Sequence, residues 1–325
     1  MYKNTIVISL LIVLLSSCIS IREISLDQLQ PAEICFPEQI KSVAVISTIP
    51  QNNLDTIKLD KNSSLVGDQS ISKEIIAKRI ADANYFEHVI VYDTVVSNKF
   101  DEQNTNILST TAVNEMLNDF NSEMIISLDK MNLTIEKIKM PSEYPMDILR
   151  FITKPEIKFY IPKKNGPIYT IAKNDTLFFN VLDLIDHKSA FSYAYDSAIK
   201  KTIEMILPHW KSITRYYYGG GSYEMRDADV SVKENDWDNV FRLWKGVYDS
   251  KKGKLRSYSA FNIALYNEMK DNVPEALKWL DLAEENIKQD SDLGVLIKTY
   301  RNILSERDSQ LSKLKLQMNR FDSNN

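Results

Sequence analysis

Two stretches of the 325-residue chain carry the Ser-x-x-Lys spacing used by serine acyl-transfer enzymes: Ser70-Ile71-Ser72-Lys73 and Ser197-Ala198-Ile199-Lys200. Three residues apart on a helix, the hydroxyl and the amine share one face, as proton transfer between them requires. Neither stretch has a Lys-Thr-Gly partner elsewhere in the chain, so both are read as capping and surface residues. The three histidines, His88, His187 and His209, stand at no metal-ligand spacing to one another or to a cysteine, and no metal site is expected. Asp183 and Asp186 form a carboxylate pair of the glycosidase type, but nothing around them favours a protonated acid. Gly219-Gly220-Gly221 lacks the Lys-Ser/Thr of a phosphate loop, and there is no GxGxxG or GxSxG. The expectation is a protein without catalytic residues and without a cofactor.

Aromatic residues offer the stronger signal. Trp210, Tyr216, Tyr217, Tyr218 and Tyr223 crowd around the glycine turn. Such a cluster can stack on a sugar or fill a partner's pocket, which makes these five the glycan-binding candidates. The competing reading is that they pack two domains together.

The elements that must position these residues follow from composition and pattern. The chain has 40 Lys+Arg against 44 Asp+Glu, so its net charge of -4 gives no basic face for nucleic acid. A hydrophobic share of 44% is enough to build a core, which excludes a disordered chain, and two cysteines exclude a disulfide scaffold. At the start, Lys3 precedes the continuous apolar run 5–15, which ends in Leu15-Ser16-Ser17-Cys18. This order resembles a bacterial lipobox. The resemblance implies a signal peptide over 1–17, a lipidated (palmitate-type) Cys18, and a linker over 18–39. Cys35 is then the one free thiol, expected to be buried. No acidic cluster follows Cys18, which favours the outer membrane, facing the periplasm.

Residues 40–210 read as an α/β domain. Val43-Ala44-Val45-Ile46 is a buried strand, helices follow at 68–84 and 109–121, and strands follow at 88–96 and 124–138. Further strands are expected at 156–161 and 176–185, with a helix at 189–207. The order implies a mixed sheet with packed helices, an α+β or α/β fold. The VAVI strand, the run from Tyr85 to Asp93 and the run from Met124 to Asp129 resemble the curli-secretion lipoprotein, the TolB N-terminal domain and the lipoprotein activator of penicillin-binding proteins. The resemblance implies a fold and a habit of binding proteins, not a reaction.

Residues 211–325 read as an all-α domain resembling tetratricopeptide repeats. Small residues at Ala264, Ala276 and Ala283 allow close helix approach, and a degenerate upstream copy is offset by 36 residues. In that copy Ala228, Val240, Trp244 and Val247 correspond to Ala264, Ala276, Leu280 and Ala283. A helix over 291–319 is expected to cap the array. Trp237, Trp244, Tyr258 and Asn262 are the partner-binding candidates of its groove. The whole chain resembles a Bacteroidota lipoprotein family of unknown function, including Arg215-Tyr216-Tyr217-Tyr218. Four Asp-Ser/Thr-apolar triplets, at 55–57, 93–95, 175–177 and 196–198, resemble that phylum's O-glycosylation pattern. The function expected is a lipid-anchored cell-envelope adaptor that binds envelope proteins. Glycan binding through residues 210–223 is the alternative, and an envelope hydrolase is a third reading.

Overall fold

The computed structural model describes residues 20–49, 63–66, 69–92, 100, 107–139, 147–180, 187–285 and 287–319. The leader, Cys18, Asp183, Asp186 and the triplets at 55–57 and 93–95 lie outside the described residues. The fold is α+β, a curled mixed sheet with packed helices followed by a C-terminal helical region. The chain divides into two compact units. One takes the described residues of Met1–Gln30 and Trp210–Leu316, the other those of Pro31–His209 and Gln317–Asn325.

The sheet unit holds β2 (Ser42–Ser47), β3 (Ser63–Val66), α1 (Gln69–Asp82), β4 (His88–Val91), α2 (Thr110–Asp119), β5 (Met124–Lys139), β6 (Asp147–Tyr160), β7 (Tyr169–Ile171), β8 (Asp175–Asn180) and α3 (His187–Ile206). The strand order is β4-β2-β5-β6-β7, with β3 also on β5 and β8 also on β6. β2 runs parallel to β4 and β5, and β6 runs antiparallel to β5, β7 and β8. Val43 and Val45 join the core shared with α1 and α3, whereas Ile46 joins the core shared with α2 on the opposite face. A strand buried on both faces needs the continuous apolar run seen at 43–46.

One irregularity keeps the long β5 strand on this core. Its even residues Met124, Ile126 and Leu128 face α1 and α3, but further along the odd residues Met131, Leu133 and Ile135 do so. The register against β6 shifts between Leu128 and Lys130, so Asp129 is the extra residue of a bulge. Side chains alternate with period two, so one inserted residue returns the second apolar set to the buried face. Pro155 of β6 falls between the stretches that pair with β7 and with β8, where its missing N–H costs that edge no ladder bond.

The second unit begins with a strand. Residues 20–30, expected within a linker, form β1 (Ser20–Gln30), which pairs with β9 (His209–Gly219) in a separate two-stranded sheet. The physical reason is alternation: Ile24, Leu26 and Gln28 turn inward and Glu23, Ser25 and Asp27 outward, a period-two pattern that a linker lacks. The strand character of 209–219 likewise replaces the start of the expected all-α region. Helices α4 (Tyr223–Lys233), α5 (Trp237–Ser250), α6 (Lys254–Met269), α7 (Val273–Glu284) and α8 (Asp292–Met318) follow. Ser222, Asp236 and Asn272 cap α4, α5 and α7 by accepting from Met225, Asn239 and Glu275 backbone N–H groups. All eight positions of the 36-residue correspondence are fully buried, at 0% exposure. Gly294 opens α8 where a Cβ would lie 2.5 Å from the Lys288 carbonyl oxygen.

Candidate functional site: a groove along the two-stranded sheet

β9 sorts its side chains by parity. Ile213, Arg215 and Tyr217 turn toward the helices, while Trp210, Ser212, Thr214 and Tyr216 face outward. Arg215 is the polar member of the inward set, and burial of a guanidinium demands a carboxylate. Glu268, near the end of α6, supplies it. Arg215 donates to both Glu268 oxygens at 3.0 and 2.9 Å through Nε and at 2.6 Å through Nη2. The Tyr300 hydroxyl of α8 donates to the same carboxylate at 2.6 Å, and Gln28 of β1 at 3.4 Å. Burial lowers the Arg215 pKa, but Glu268 overrides this and holds it raised. Burial, with the Glu268 charge beside it, pushes the Tyr300 hydroxyl well above its usual value.

This saturated network walls a cavity of about 290 Å³ lined by Leu26, Asp27, Ile213, Met269, Asp271 and the exposed Trp210, among others. A second hollow of about 220 Å³ shares Gln28, Ile213 and Arg307 with it. Arg307 is itself buried, donating to Leu29 O at 2.7 Å and to Asp271 at 2.8 Å. Asp271 adopts φ 53°, the left-handed conformation of the turn after α6, and its side chain stays half exposed. The groove therefore offers carboxylate acceptors, an indole and an apolar floor, on walls fixed by buried hydrogen bonds.

The aromatic candidates separate. Trp210 and Tyr223 are 69% exposed and Tyr216 is 43% exposed. Tyr217 and Tyr218 are buried and unavailable to a glycan. Tyr217 donates to Asp229 at 2.7 Å, and Tyr218 stacks on Tyr258 at 4.0 Å. Two of the four partner-binding candidates are core residues. Trp244 is fully buried beside Tyr217, because α5 and α6 meet around it. Asn262 is also fully buried. Its amide accepts from the Tyr218 N–H and donates to the Tyr218 carbonyl, both at 2.8 Å. It thus serves β9 as a neighbouring strand would. Trp237 and Tyr258 are partly buried against the same core.

Of the two Ser-x-x-Lys stretches, the first has its Ser70 side chain outside the described residues, and in the second Ser197 and Lys200 take separate partners. Lys73 is buried and donates to the Tyr92 carbonyl at 2.6 Å. Ser197 donates to Asp175 at 2.6 Å, and the lysine on that carboxylate is Lys201 rather than Lys200, which pairs with Glu204 at 3.8 Å. Burial raises the Asp175 pKa, but Lys201, Ser197 and the Thr176 N–H outweigh it and hold the carboxyl lowered. The bulge residue Asp129 takes Lys158 at 2.7 Å, with Ser127 and Thr48 as further donors. Cys35, expected to be buried, is exposed. Its place in the sheet unit's opening segment, where Gln317 Nε2 reaches its sulfur at 3.2 Å, leaves it outside the core. Among the described residues no group of His, Cys, Asp and Glu could hold a metal ion, and no helix is long and apolar enough to cross a membrane.

Sequence reasoning missed Arg215, Glu268, Tyr300, Arg307 and Asp271. The available signal was the period-two run from Ile213 to Tyr217, which places Arg215 among inward residues.

Residues 40–218, more than half of the chain, match the model of the domain of unknown function DUF8603. The chain belongs to that family. Residues 226–306 match a second domain of unknown function, DUF6340. In this DUF8603 protein the first match runs through β9 to Tyr218, and the second covers α4 to the middle of α8. No curated protein matches the chain. Solved structures similar to it include the hypothetical protein CT253 of Chlamydia trachomatis, at 14% identity and a TM-score of 0.30, covering 51% of this chain and 94% of that one. A minor lipoprotein of Acinetobacter baumannii is similar at 6% identity and a TM-score of 0.26, covering 51% of this chain and 92% of that one.

Proposed function

We propose that this DUF8603 protein is a lipid-anchored adaptor of the cell envelope. Cys18 holds it to the outer membrane, facing the periplasm, and the β1/β9 groove holds an extended segment of a second envelope protein. The observation that carries the reading is the groove itself, in which the exposed Trp210 stands beside Asp27, Asp271 and the apolar floor of Leu26, Ile213 and Met269. An exposed indole next to a fixed pocket is the composition of a binding anchor. Carboxylates at the rim suit a segment with basic or amide side chains and repel nucleic acid. The groove binds its occupant without transforming it, and the tether raises the local concentration of that occupant at one surface. The helical pairs, in their 36-residue register, brace the groove in the manner of tetratricopeptide-like repeats.

In-cell crosslinking and capture of the full chain, beside the Trp210→Ala/Asp271→Ala variant, tests this. A protein captured by the parent and lost from the variant is the expected result. Equal capture by both removes the groove from the function.

A second reading has its own observation. Trp210, Ser212, Thr214 and Tyr216 share the outward face of one strand, a row of aromatic faces and hydroxyls suited to a glycan. Trp210 is the exposed member of the four tryptophans. Its emission should therefore shift with wall or capsule fragments, and silence across a titration ends the reading.

A further inference from the structure

Three helices of the second unit turn polar side chains onto the β1/β9 ribbon. Asp229 of α4 takes the Tyr217 hydroxyl, Asn262 and Glu268 of α6 hold Tyr218 and Arg215, and Arg307 of α8 holds Leu29. The ribbon therefore lies over these helices, and a partner on this side meets the ribbon first.

A two-stranded ribbon has two edges, each a row of backbone groups with no ladder partner. The Ser20 hydroxyl donates to the Gly219 carbonyl at 3.4 Å, so the start of β1 lies beside the end of β9 and the strands run antiparallel. In such a pair, alternate residues aim their N–H and C=O groups to the same side. The β9 edge is guarded. Tyr218 gives both of its groups to Asn262, and the Thr214 carbonyl accepts from Arg215 Nη1 at 3.1 Å. On β1 the Leu29 carbonyl accepts from Arg307 at 2.7 Å. Leu29 thus faces away from β9, and Ile21, Glu23, Ser25 and Asp27 face the same way. Among the described residues, no hydrogen bond from outside the ribbon reaches the backbone of those four. Their side chains are exposed as well. From Ile21 to Asp27, β1 is an open strand edge.

The charges on that edge select its occupant. In an added strand, the side chains opposite Glu23, Ser25 and Asp27 fall on the outward face of the ribbon. Neither strand places a cation there. β9 contributes Trp210, Ser212, Thr214 and Tyr216, and Arg22 turns to the other face, 3.8 Å from Asp229. Glu23 and Asp27 have no ion-pair partner among the described residues. They stand about 13 Å apart along the strand. A second copy of β1, centred on Ser25, would set Glu23 against Asp27, and like charges destabilise a cross-strand pair. We propose that β1 takes an extended segment of another protein as the third strand of the ribbon. That segment carries Lys or Arg at two positions four residues apart, opposite Glu23 and Asp27. The inference rests on the groove reading above and deepens it, since the segment held beside Leu26 and Trp210 runs on along β1. Main-chain bonds to the edge supply affinity, and the ion pairs supply selection. Each pair contributes up to about fivefold in binding.

The test uses the full chain and two synthetic peptides, Thr-Lys-Val-Thr-Val-Lys-Thr and its counterpart with Glu in place of both lysines. Amide exchange is followed at Glu23, Ser25 and Asp27. Ile24 and Leu26, whose amides face β9, are the internal reference. The lysine peptide should slow exchange at the first three several-fold and leave the reference unchanged, and the glutamate peptide should do neither. In the Glu23→Lys/Asp27→Lys variant, altered at two exposed positions, the preference between the peptides should reverse. Exchange at Glu23, Ser25 and Asp27 that is indifferent to the lysine peptide overturns strand addition. Protection without the reversal overturns selection by charge. In cells, capture lost from Trp210→Ala/Asp271→Ala yet kept by Glu23→Lys/Asp27→Lys overturns the added strand and leaves the groove reading standing. Capture indifferent to both variants overturns the two together.

Discussion

Replacing Asn262 by alanine should unfold the helical unit well before the sheet unit. The Asn262 side chain is fully buried and makes two hydrogen bonds of 2.8 Å, one to each backbone polar group of Tyr218. Truncation removes both bonds and leaves a donor and an acceptor stranded at Tyr218, a buried residue packed on Tyr258 and Phe261. An unpaired buried group costs about 1–3 kcal/mol, so the pair costs about 2–6 kcal/mol. Against a total of about 5–15 kcal/mol for a whole domain, that is a large fraction. The assay follows from the sequence. All four tryptophans, Trp210, Trp237, Trp244 and Trp279, belong to the helical unit, so emission in urea reports that unit alone. A second readout is amide exchange at Tyr218, which should accelerate because its N–H loses its acceptor. Asn262→Asp keeps an acceptor for that N–H but turns an oxygen toward the Tyr218 carbonyl, and it should be no more stable than Asn262→Ala. A loss below about 1 kcal/mol in Asn262→Ala, with Tyr218 exchange unchanged, refutes the role of a surrogate strand.

Glu268→Ala leaves the Arg215 guanidinium buried without its carboxylate and should cost about 3–5 kcal/mol in urea unfolding followed by tryptophan emission. Trp210→Ala, at an exposed position, should change that stability by less than about 0.5 kcal/mol while abolishing partner capture. Gly294→Ala puts a Cβ 2.5 Å from a backbone oxygen and should lower the unfolding midpoint, where a helix-interior Gly→Ala change otherwise raises it. Asp175, Asp229 and Glu123 have carboxyl pKa values held below their ordinary 3.8, 3.8 and 4.5. A lowered folded value means stability that is present above the ordinary value and lost as pH falls through the folded one. Urea midpoints should therefore hold near neutrality and drop steadily below about pH 4.5, and a Ser197→Ala change, which removes one donor to Asp175, should shrink the part of that drop belonging to the sheet unit, read by far-UV circular dichroism.

The sequence pattern disclosed those elements whose burial is continuous or strictly helical. The Val43–Ile46 strand, the helices at 110–119 and 187–206, and the α6–α7 pair were legible because an apolar period has few alternatives. β1 and β9 were obscured for a common reason. Each is a ribbon strand with one polar face, and β9 carries Lys211, Ser212, Thr214 and Arg215 within a few residues. Such a strand shows weak hydrophobicity and only its parity reveals it. The first half of β6 was hidden likewise by Arg150, Thr153, Lys154 and Pro155. The groove was illegible in a deeper sense. Arg215, Glu268 and Tyr300 are separated by tens of residues, and nothing local marks them as partners until β9 is laid beside α6 and α8. The aromatic cluster was visible, but its division was not, because the inward turn of Tyr217 and the outward turn of Tyr216 depend on strand parity.

Parity also explains why Asp129 stands where it does. Deleting one residue from an exposed strand end costs little, but β5 must present Met124, Ile126 and Leu128 and then Met131, Leu133 and Ile135 to the same two helices. Without the inserted residue, the second set turns to the opposite face and Asn132 and Thr134 enter the core. The inserted side chain cannot follow either row, so it is free to serve another purpose. Here it accepts from Lys158, Ser127 and Thr48, and so neutralises a lysine that the sheet buries on its α2 side. The bulge and the ion pair are thus one device. A charged residue supplies the register shift, and the register shift supplies one of the two carboxylates that the buried Lys158 meets, the other being Glu156 at 3.2 Å. Lys158→Met should accordingly leave Asp129 without its ammonium and destabilise the sheet, whereas Lys158→Met combined with Asp129→Asn should recover much of the loss. A double variant no better than Lys158→Met alone would separate the bulge from the ion pair and sink the coupling between them.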